Sequence, residues 1–321
     1  MIRGMERTSA EPENLDELPL DRIRDLDLEA VGDGSPPYVA SASGVARRGR
    51  HVYVIGDESN HLACFDFTDR RPGGLKRVLD GEVPTDPAER ARHKSDLEAL
   101  TVLPPGRGSP YGILLGVGSG SGGGRNRGFA WDLEADGDLV AEPREIDLSP
   151  AYALLREELG GLNIEGAAVL GDGLLLFHRG NAEGDENAVA RFPLARALES
   201  LRGDQRIDVD ELESLRRYDL GELEGIRLCF SDATPLGDEL VVFTASAEDD
   251  DGTIQGSVIG LLHADGDIRR LRKIDRRWKV EGVHATMDTG VVDLLFVCDQ
   301  DDPETPSPLL AASMPVEPGL E

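Results

Sequence analysis

Residues 165–181 read EGAAVLGDGLLLFHRGN, and this stretch decides the fold. Two apolar runs, 167–170 and 174–177, flank the turn Gly171-Asp172-Gly173. Asp-Gly between apolar runs is a strong hairpin signal, because glycine accepts the positive φ that a tight turn demands. An acid, Glu165, opens the first strand, and the polar loop His178-Arg179-Gly180-Asn181 follows the second.

The same plan recurs along the chain. Residues 43–59 read SGVARRGRHVYVIGDES, residues 232–249 read DATPLGDELVVFTASAED, and residues 281–301 read EGVHATMDTGVVDLLFVCDQD. A further unit starts at Glu98-Ala99-Leu100-Thr101. Each unit continues into a third apolar strand: LACFDF, GFAWDL, AVARFPL, SVIGLLHA or PLLAASM. A fourth, more polar strand follows in four of them, as LKRVLD, AEPREIDL, LRRYDLGEL and IRRLRKID. Four antiparallel strands make a propeller blade, and starts some 50 to 67 residues apart fit blade periods once loop insertions are allowed. The fold class is therefore all-β, a propeller of five blades, with six the alternative if the insert LSPAYALLREELGG hides another.

The fifth unit has no fourth strand of its own. Residues 22–28, RIRDLDL, alternate polar and apolar and are expected to supply it, closing the ring and hiding both sheet edges. Residues 152–159 and 194–201 read as short helices. Residues 1–15 are expected as a disordered tail, and residues 16–316 as one propeller domain.

In a propeller the first strand of each blade lines the central channel, so the residue opening it stands at the mouth. The matched residues are Ser43, Glu98, Glu165, Asp232 and Glu281. Carboxylates this close need compensation, since unit charges 4 Å apart repel by about 4 kcal/mol at an effective dielectric of 20. A bound cation, shared protons, or hydrogen bonds to strand ends would each supply it. Oxygen-only ligands suit Ca²⁺ better than Zn²⁺. The loops between second and third strands open on the same face: Gly56-Asp57-Glu58, Gly118-Ser119-Gly120-Ser121, His178-Arg179-Gly180-Asn181, Ser246-Ala247-Glu248-Asp249 and Asp299-Gln300-Asp301-Asp302. Asp57, Asn181 and Asp299 are the candidate ligand-binding residues there. Lys94, Arg125, Arg179 and Lys279 either neutralise the neighbouring acids or hold a small anionic ligand. His178 and His284 lie nearest the mouth. Each is either a packed histidine, the commoner case, or a proton acceptor.

Composition narrows the function classes. The 321 residues carry a net charge of −28 and only four lysines, which excludes nucleic acid as a general partner. Such an acidic, lysine-poor surface looks like that of proteins from salt-rich cytoplasm. The apolar runs fall short of the roughly 18 to 20 residues that cross a bilayer, and the N-terminus has no apolar signal segment. A cytoplasmic monomer without a membrane partner is expected. The three cysteines, Cys64, Cys229 and Cys298, are too sparse for a disulfide framework. No nucleophile elbow, HExxH pair or DxDxDG loop is present.

The segments KSDLEALTVLP, RNRGFAWDL, LNIEGAAVL, FHRGN, SDATPLGDELVVFTASAED and KVEGVHA together resemble an uncharacterised bacterial propeller family of unknown function, over roughly residues 38–315. More distantly, the Glu-Gly strand starts are similar to the family described as having esterase-like activity of phytase. The ring of acids is similar in plan to calcium-dependent lactonase and nucleotidase propellers. The resemblance implies a metal in the channel that assists hydrolysis of a phosphoester or lactone. Two positions depart from the lactonase pattern: Asn163 precedes the matched position, and Ser43 stands where an acid would. The alternative is a non-enzymatic propeller that binds a small anionic ligand or a protein.

Overall fold

The repeated hairpins fold into five small antiparallel sheets. The computed structural model describes residues 6–315 except 14, 31–35, 82, 85, 182–184, 209–211, 250–251 and 301. Asp301 of the last polar loop and the outermost ends of the expected tail and domain therefore lie outside the described residues. Blade one comprises Ala42–Arg48, His51–Gly56, His61–Asp66 and Gly74–Arg77. Blade two comprises Leu97–Leu103, Ile113–Gly118, Arg127–Asp132 and Arg144–Asp147. Blade three runs Ile164–Leu170, Gly173–His178, Asn187–Pro193 and Ser214–Asp219, and its first turn uses Gly171 at φ +58°. Blade four is built on Ile226–Leu236, Leu240–Glu248, Ile254–His263 and Ile268–Lys273, with the short strand Glu222–Leu223 added beside the first.

Blade five takes Val280–Asp288, Val291–Cys298 and Pro308–Pro315 from the C-terminal part of the chain. Its outer strand is Asp21–Asp25, paired antiparallel to Pro308–Pro315 with Asp21 opposite Ala311. The ring is thus five-bladed and closed by an N-terminal strand.

Every blade is apolar on both faces, which is why strands such as ILLGVG and GLLLFH are buried along their whole length. Each seam between neighbouring blades holds its own apolar cluster. Between blades one and two lie Tyr53, Leu100, Phe129 and Trp131; between three and four, Phe177, Phe230 and Phe243 meet edge to face. The helix Ser149–Leu159 plugs the seam of blades two and three with Tyr152 and Leu155, and Leu194–Gly203 adds Ala197 and Leu201.

A third helix, Pro87–His93, was not expected. Its start is capped by the Asp86 side chain, which accepts from Glu89 N at 3.0 Å, with proline in the first turn. The expected disordered tail also differs from the structure. Glu6–Ser9 forms a parallel fifth strand on blade three, beside Ser214–Asp219. Its order comes from pairing rather than a core: Arg7 meets Glu186 and Asp219 at 3.4 and 3.5 Å, and Ala10 N donates to Asp219 O at 2.8 Å. Further on, Glu13 reaches Arg270, and Leu18 and Leu20 are buried between blades four and five.

Deleting residues 1–13 removes an edge strand and the contacts of Glu13 with Arg270 and Leu271, and should lower the melting temperature by a few degrees. Deleting residues 1–29 exposes the Pro308–Pro315 edge and should give aggregated protein, read by thermal melts and size-exclusion chromatography.

Candidate functional site at the channel mouth

A β-bulge opens each first strand, and the bulges set the mouth. The register skips one residue at Ser43, Glu98, Glu165 and Glu281, so each stands out of the ladder as the extra residue. The next residue is Gly44, Ala99, Gly166 or Gly282, and three of these face a neighbouring first strand closely. A Cβ on Gly166 would lie 2.8 Å from Ala233 N, and one on Gly282 would lie 3.0 Å from Gly44 Cα. Small residues after the acid are therefore a packing requirement of the channel wall.

Blade four departs from the sequence matching. Its bulge falls at Ser231, which places Asp232 one position later, where the other blades carry glycine or alanine. The Asp232 carboxylate is fully buried, accepting from Ala233 N and, across the seam, from Val283 N of blade five, both at 2.7 Å. It ties two blades together rather than lining the mouth. Burial raises its pKa well above the usual range, against the pull of those two amides. Ser43 has a similar bridging bond, its hydroxyl donating to Leu97 O of blade two at 2.6 Å.

Asp57, Asp96 and Glu98 form the tightest acidic group, with ligand oxygens all within 4.8 Å of one another. Asp57 comes from the second loop of blade one. Asp96, just before the blade-two strand, sits at φ +57°, a left-handed conformation that aspartate tolerates better than most residues. Its amide donates to Asp57 O at 3.1 Å and its carbonyl accepts from Ser119 N at 2.8 Å. Lys94, delivered by the helix Pro87–His93, bonds Asp57 and lies 2.7 Å from Asp96. Arg125 approaches Asp96 at 3.1 Å, and the Ser119 and Ser121 hydroxyls donate to the same carboxylate. Burial alone would raise the Asp96 pKa, but Lys94, Ser119 and Arg125 outweigh it and hold the group below its ordinary value. Burial likewise pulls the Lys94 ammonium down, and Asp57 and Asp96 more than restore it.

Two more clusters complete the mouth. Glu165 accepts from Asn163 Nδ2 at 2.7 Å and lies 3.6 Å from Arg179, which also binds Glu248. Lys279 sits 3.5 Å from Glu281 and 3.6 Å from Asp299. The three clusters share one field, since Glu98 and Glu281 both feel Glu165, and Arg179 feels Glu281. Burial is the main force on the ring glutamates. It drives Glu98 well above the usual range, with Glu165, Asp57 and Asp96 adding to it, and raises Glu165 against the opposing Arg179. Glu281 is pushed up to about 8.

The candidate cations Lys94, Arg125, Arg179 and Lys279 thus each sit against an acid. The carboxylates Asp57, Asp96, Glu98, Glu165, Glu248, Glu281 and Asp299 outnumber them by three. Protonation of Glu98, Glu165 and Glu281, the direction in which burial pushes all three, would balance that excess. A multivalent cation would balance it as well.

The histidines stand apart from this network. His178 is buried and its Nδ1 accepts from Asn163 N at 3.1 Å, while burial lowers its pKa. His284 is driven down to about 4 by burial, with Arg47 adding to it, and its Nε2 finds no partner among the described residues. Asn181 is exposed on its loop. Asp96 and Glu248 were missed as site residues, although Asp96 sits two residues before the Glu98 bulge. Asn187 was missed too; it clamps the blade-three loop by accepting from Gly180 N and Phe230 N and donating to Leu228 O.

The repeats and the acidic strand starts fall within residues 38–314, which match the model of one family, while the closing strand Asp21–Asp25 precedes them. The chain belongs to the family of unknown function DUF6929. No curated protein matches it. Among solved structures, an exo-β-1,3-galactanase from Phanerochaete chrysosporium aligns at a TM-score of 0.50 and 10% identity, over 93% of this chain and 64% of that one. The α-L-arabinofuranosidase PaAbf62A from Podospora anserina aligns at 0.49 and 9% identity, over 93% and 97%. A luciferin-regenerating enzyme aligns at 0.47 and 10%, over 94% and 95%. At such identities the likeness of this DUF6929 chain to propeller enzymes is one of fold.

The raised Glu281 pKa makes stability depend on pH. A carboxyl whose folded pKa exceeds its unfolded one stabilises fully below the unfolded pKa and loses that contribution as pH rises through the folded value. Wild-type protein should therefore lose stability, on the order of a few kcal/mol, between about pH 4.5 and about 8. Glu281→Gln should flatten that slope and melt above wild type at pH 9 in differential scanning calorimetry. Arg179→Met, which leaves Glu165 and Glu248 without their cation, should cost about 3 kcal/mol at pH 8 and less at pH 5.

Proposed function

We propose that the channel mouth binds a divalent cation, with Ca²⁺ as the ion its donors suit, and serves hydrolysis of a small phosphoester or lactone. The observation that carries this reading is the convergence of Asp57, Asp96 and Glu98 within 4.8 Å. All donors there are oxygens, and the Ser119 and Ser121 hydroxyls add more beside Asp96. That chemistry suits a hard ion taking about 6 to 8 oxygens. Glu98 is pushed toward its protonated form by burial and by neighbouring acids, the strain that a double positive charge relieves. A bound ion would polarise an ester or phosphoryl oxygen and acidify a water. Lys94 and Arg125 stand beside Asp57 and Asp96, where an anionic substrate of the bound ion would meet them. Glu165, across the mouth, is a carboxyl whose pKa burial raises, against the opposing Arg179, which suits it to hold or give a proton.

One observation favours a second reading. Each cation at the mouth is already paired with an acid, so the same geometry suits a non-enzymatic propeller that binds a small ligand or a protein. The two readings part on metal content. Protein purified in high salt without added metal should carry near-stoichiometric calcium by plasma mass spectrometry. Its melting temperature should rise with Ca²⁺ and fall with chelator, as ligand linkage requires. Glu98→Gln should abolish both, together with any chelator-sensitive turnover of aryl phosphates or lactones. No bound metal, and identical melts with Ca²⁺ and chelator, would overturn the cation reading.

A further inference from the structure

A cleft of about 1040 Å³ lies beside the mouth rather than in it. It opens between blade one and the chain leading into it, residues 28–30 and 36–41. Its floor is apolar, made by Val54, Ala63 and Leu75 on one face of the blade-one sheet. One wall is the loop that carries Asp57, through Gly56 and Glu58, yet none of the ring glutamates lines it. The volume sits at the upper end of small-ligand pockets, which run to about 1,000 Å³.

Asn60 lines this cleft, is 4% exposed, and spends its amide nitrogen on Gly81 O at 3.1 Å. Its Oδ1 is buried and accepts from no group among the described residues. A buried amide oxygen without a donor is costly, and protein interiors avoid it unless a ligand or water completes the bond. The charged side chains around the cleft are balanced in sign, Glu29 and Glu58 against Arg77 and Arg90. Glu58 and Arg90 pair with one another at 3.3 Å, and Arg77 donates to Gly81 O at 2.6 Å. Nothing in this arrangement selects an ion of either sign. The Tyr38 ring adds a flat face to the wall, its hydroxyl turned to Pro303 O at 3.2 Å.

We propose that this cleft binds a small neutral ligand with an apolar body and a hydroxyl or N–H donor, and that the Asn60 side chain turns its covered Oδ1 toward the cleft to accept from it. The site is separate from the cation reading of the mouth. It borders the Asp57 loop, so an occupant stands next to the acidic triad without touching the ring glutamates.

Phenol is the smallest probe with both features, an apolar ring and one hydroxyl donor. Saturation-transfer NMR should show it binding the full-length protein. Gly74 lines the cleft, and a Cβ built there meets nothing within 4 Å, so a Gly74→Leu side chain starts in open space and takes volume from the cleft. That variant should lose the signal while keeping the wild-type melting temperature. Asn60→Leu should weaken binding about five- to tenfold, the worth of one buried hydrogen bond. Glu98→Gln should bind phenol as wild type does, which separates failure at this site from failure of the mouth. Absence of a phenol signal from wild type, or a signal unchanged in both Gly74→Leu and Asn60→Leu, would overturn the proposal.

Discussion

Each blade of this protein has two apolar faces and cannot cover either by itself. Burial is worth about 25 cal/mol per Å² of apolar surface, so a blade left unflanked on one side forfeits much of what stabilises it. Five seams, each with its own cluster of aromatic and aliphatic side chains, satisfy all ten faces only when the ring closes. Closure in turn needs an outer strand for blade five, and Asp21–Asp25 supplies it. The channel, the bulges and the acids at its mouth all follow from that closure.

Gathering first strands around a narrow axis has an electrostatic consequence. The bulge residue of each blade is pushed toward the same small volume, and in three blades that residue is glutamate. Repulsion of about 4 kcal/mol per close pair at moderate dielectric is too large to leave unanswered. Lys94, Arg125, Arg179 and Lys279 answer part of it, in a chain that otherwise has few lysines. What remains falls on protons or a cation, and burial, with the neighbouring acids, raises the pKa values of Glu98, Glu165 and Glu281 in that same direction.

The blades were legible because hairpin turns and paired apolar runs are local signals. Gly171-Asp172-Gly173 and the runs beside it need no knowledge of the rest of the chain. The closing strand was legible for the same reason, as an alternating segment without a partner nearby. Asp232 was placed one position off because Ser231-Asp232-Ala233 matches the acid-then-small pattern of Glu165-Gly166, whereas the register depends on pairing with Leu240–Glu248. A buried acid is tolerated where glycine stands elsewhere because Val283 N of the next blade donates to it, a tertiary contact that no local pattern announces. The Asp86-Pro87-Ala88-Glu89 start of the third helix was a readable capping signal that went unused. The strand Glu6–Ser9 was not readable, since backbone pairing and the ion pairs of Arg7 hold it rather than an apolar face.

The closing strand also fixes an order of events. Asp21–Asp25 leaves the ribosome before any of blades one to four, yet its partner Pro308–Pro315 follows all of them. Blades one to four can pair internally as they emerge, while that early strand has to wait, unpaired, until Pro308–Pro315 has followed them. Its sequence, Asp-Arg-Ile-Arg-Asp, suits the wait: four of five side chains are charged, which keeps a lone strand in water and away from neighbouring nascent chains.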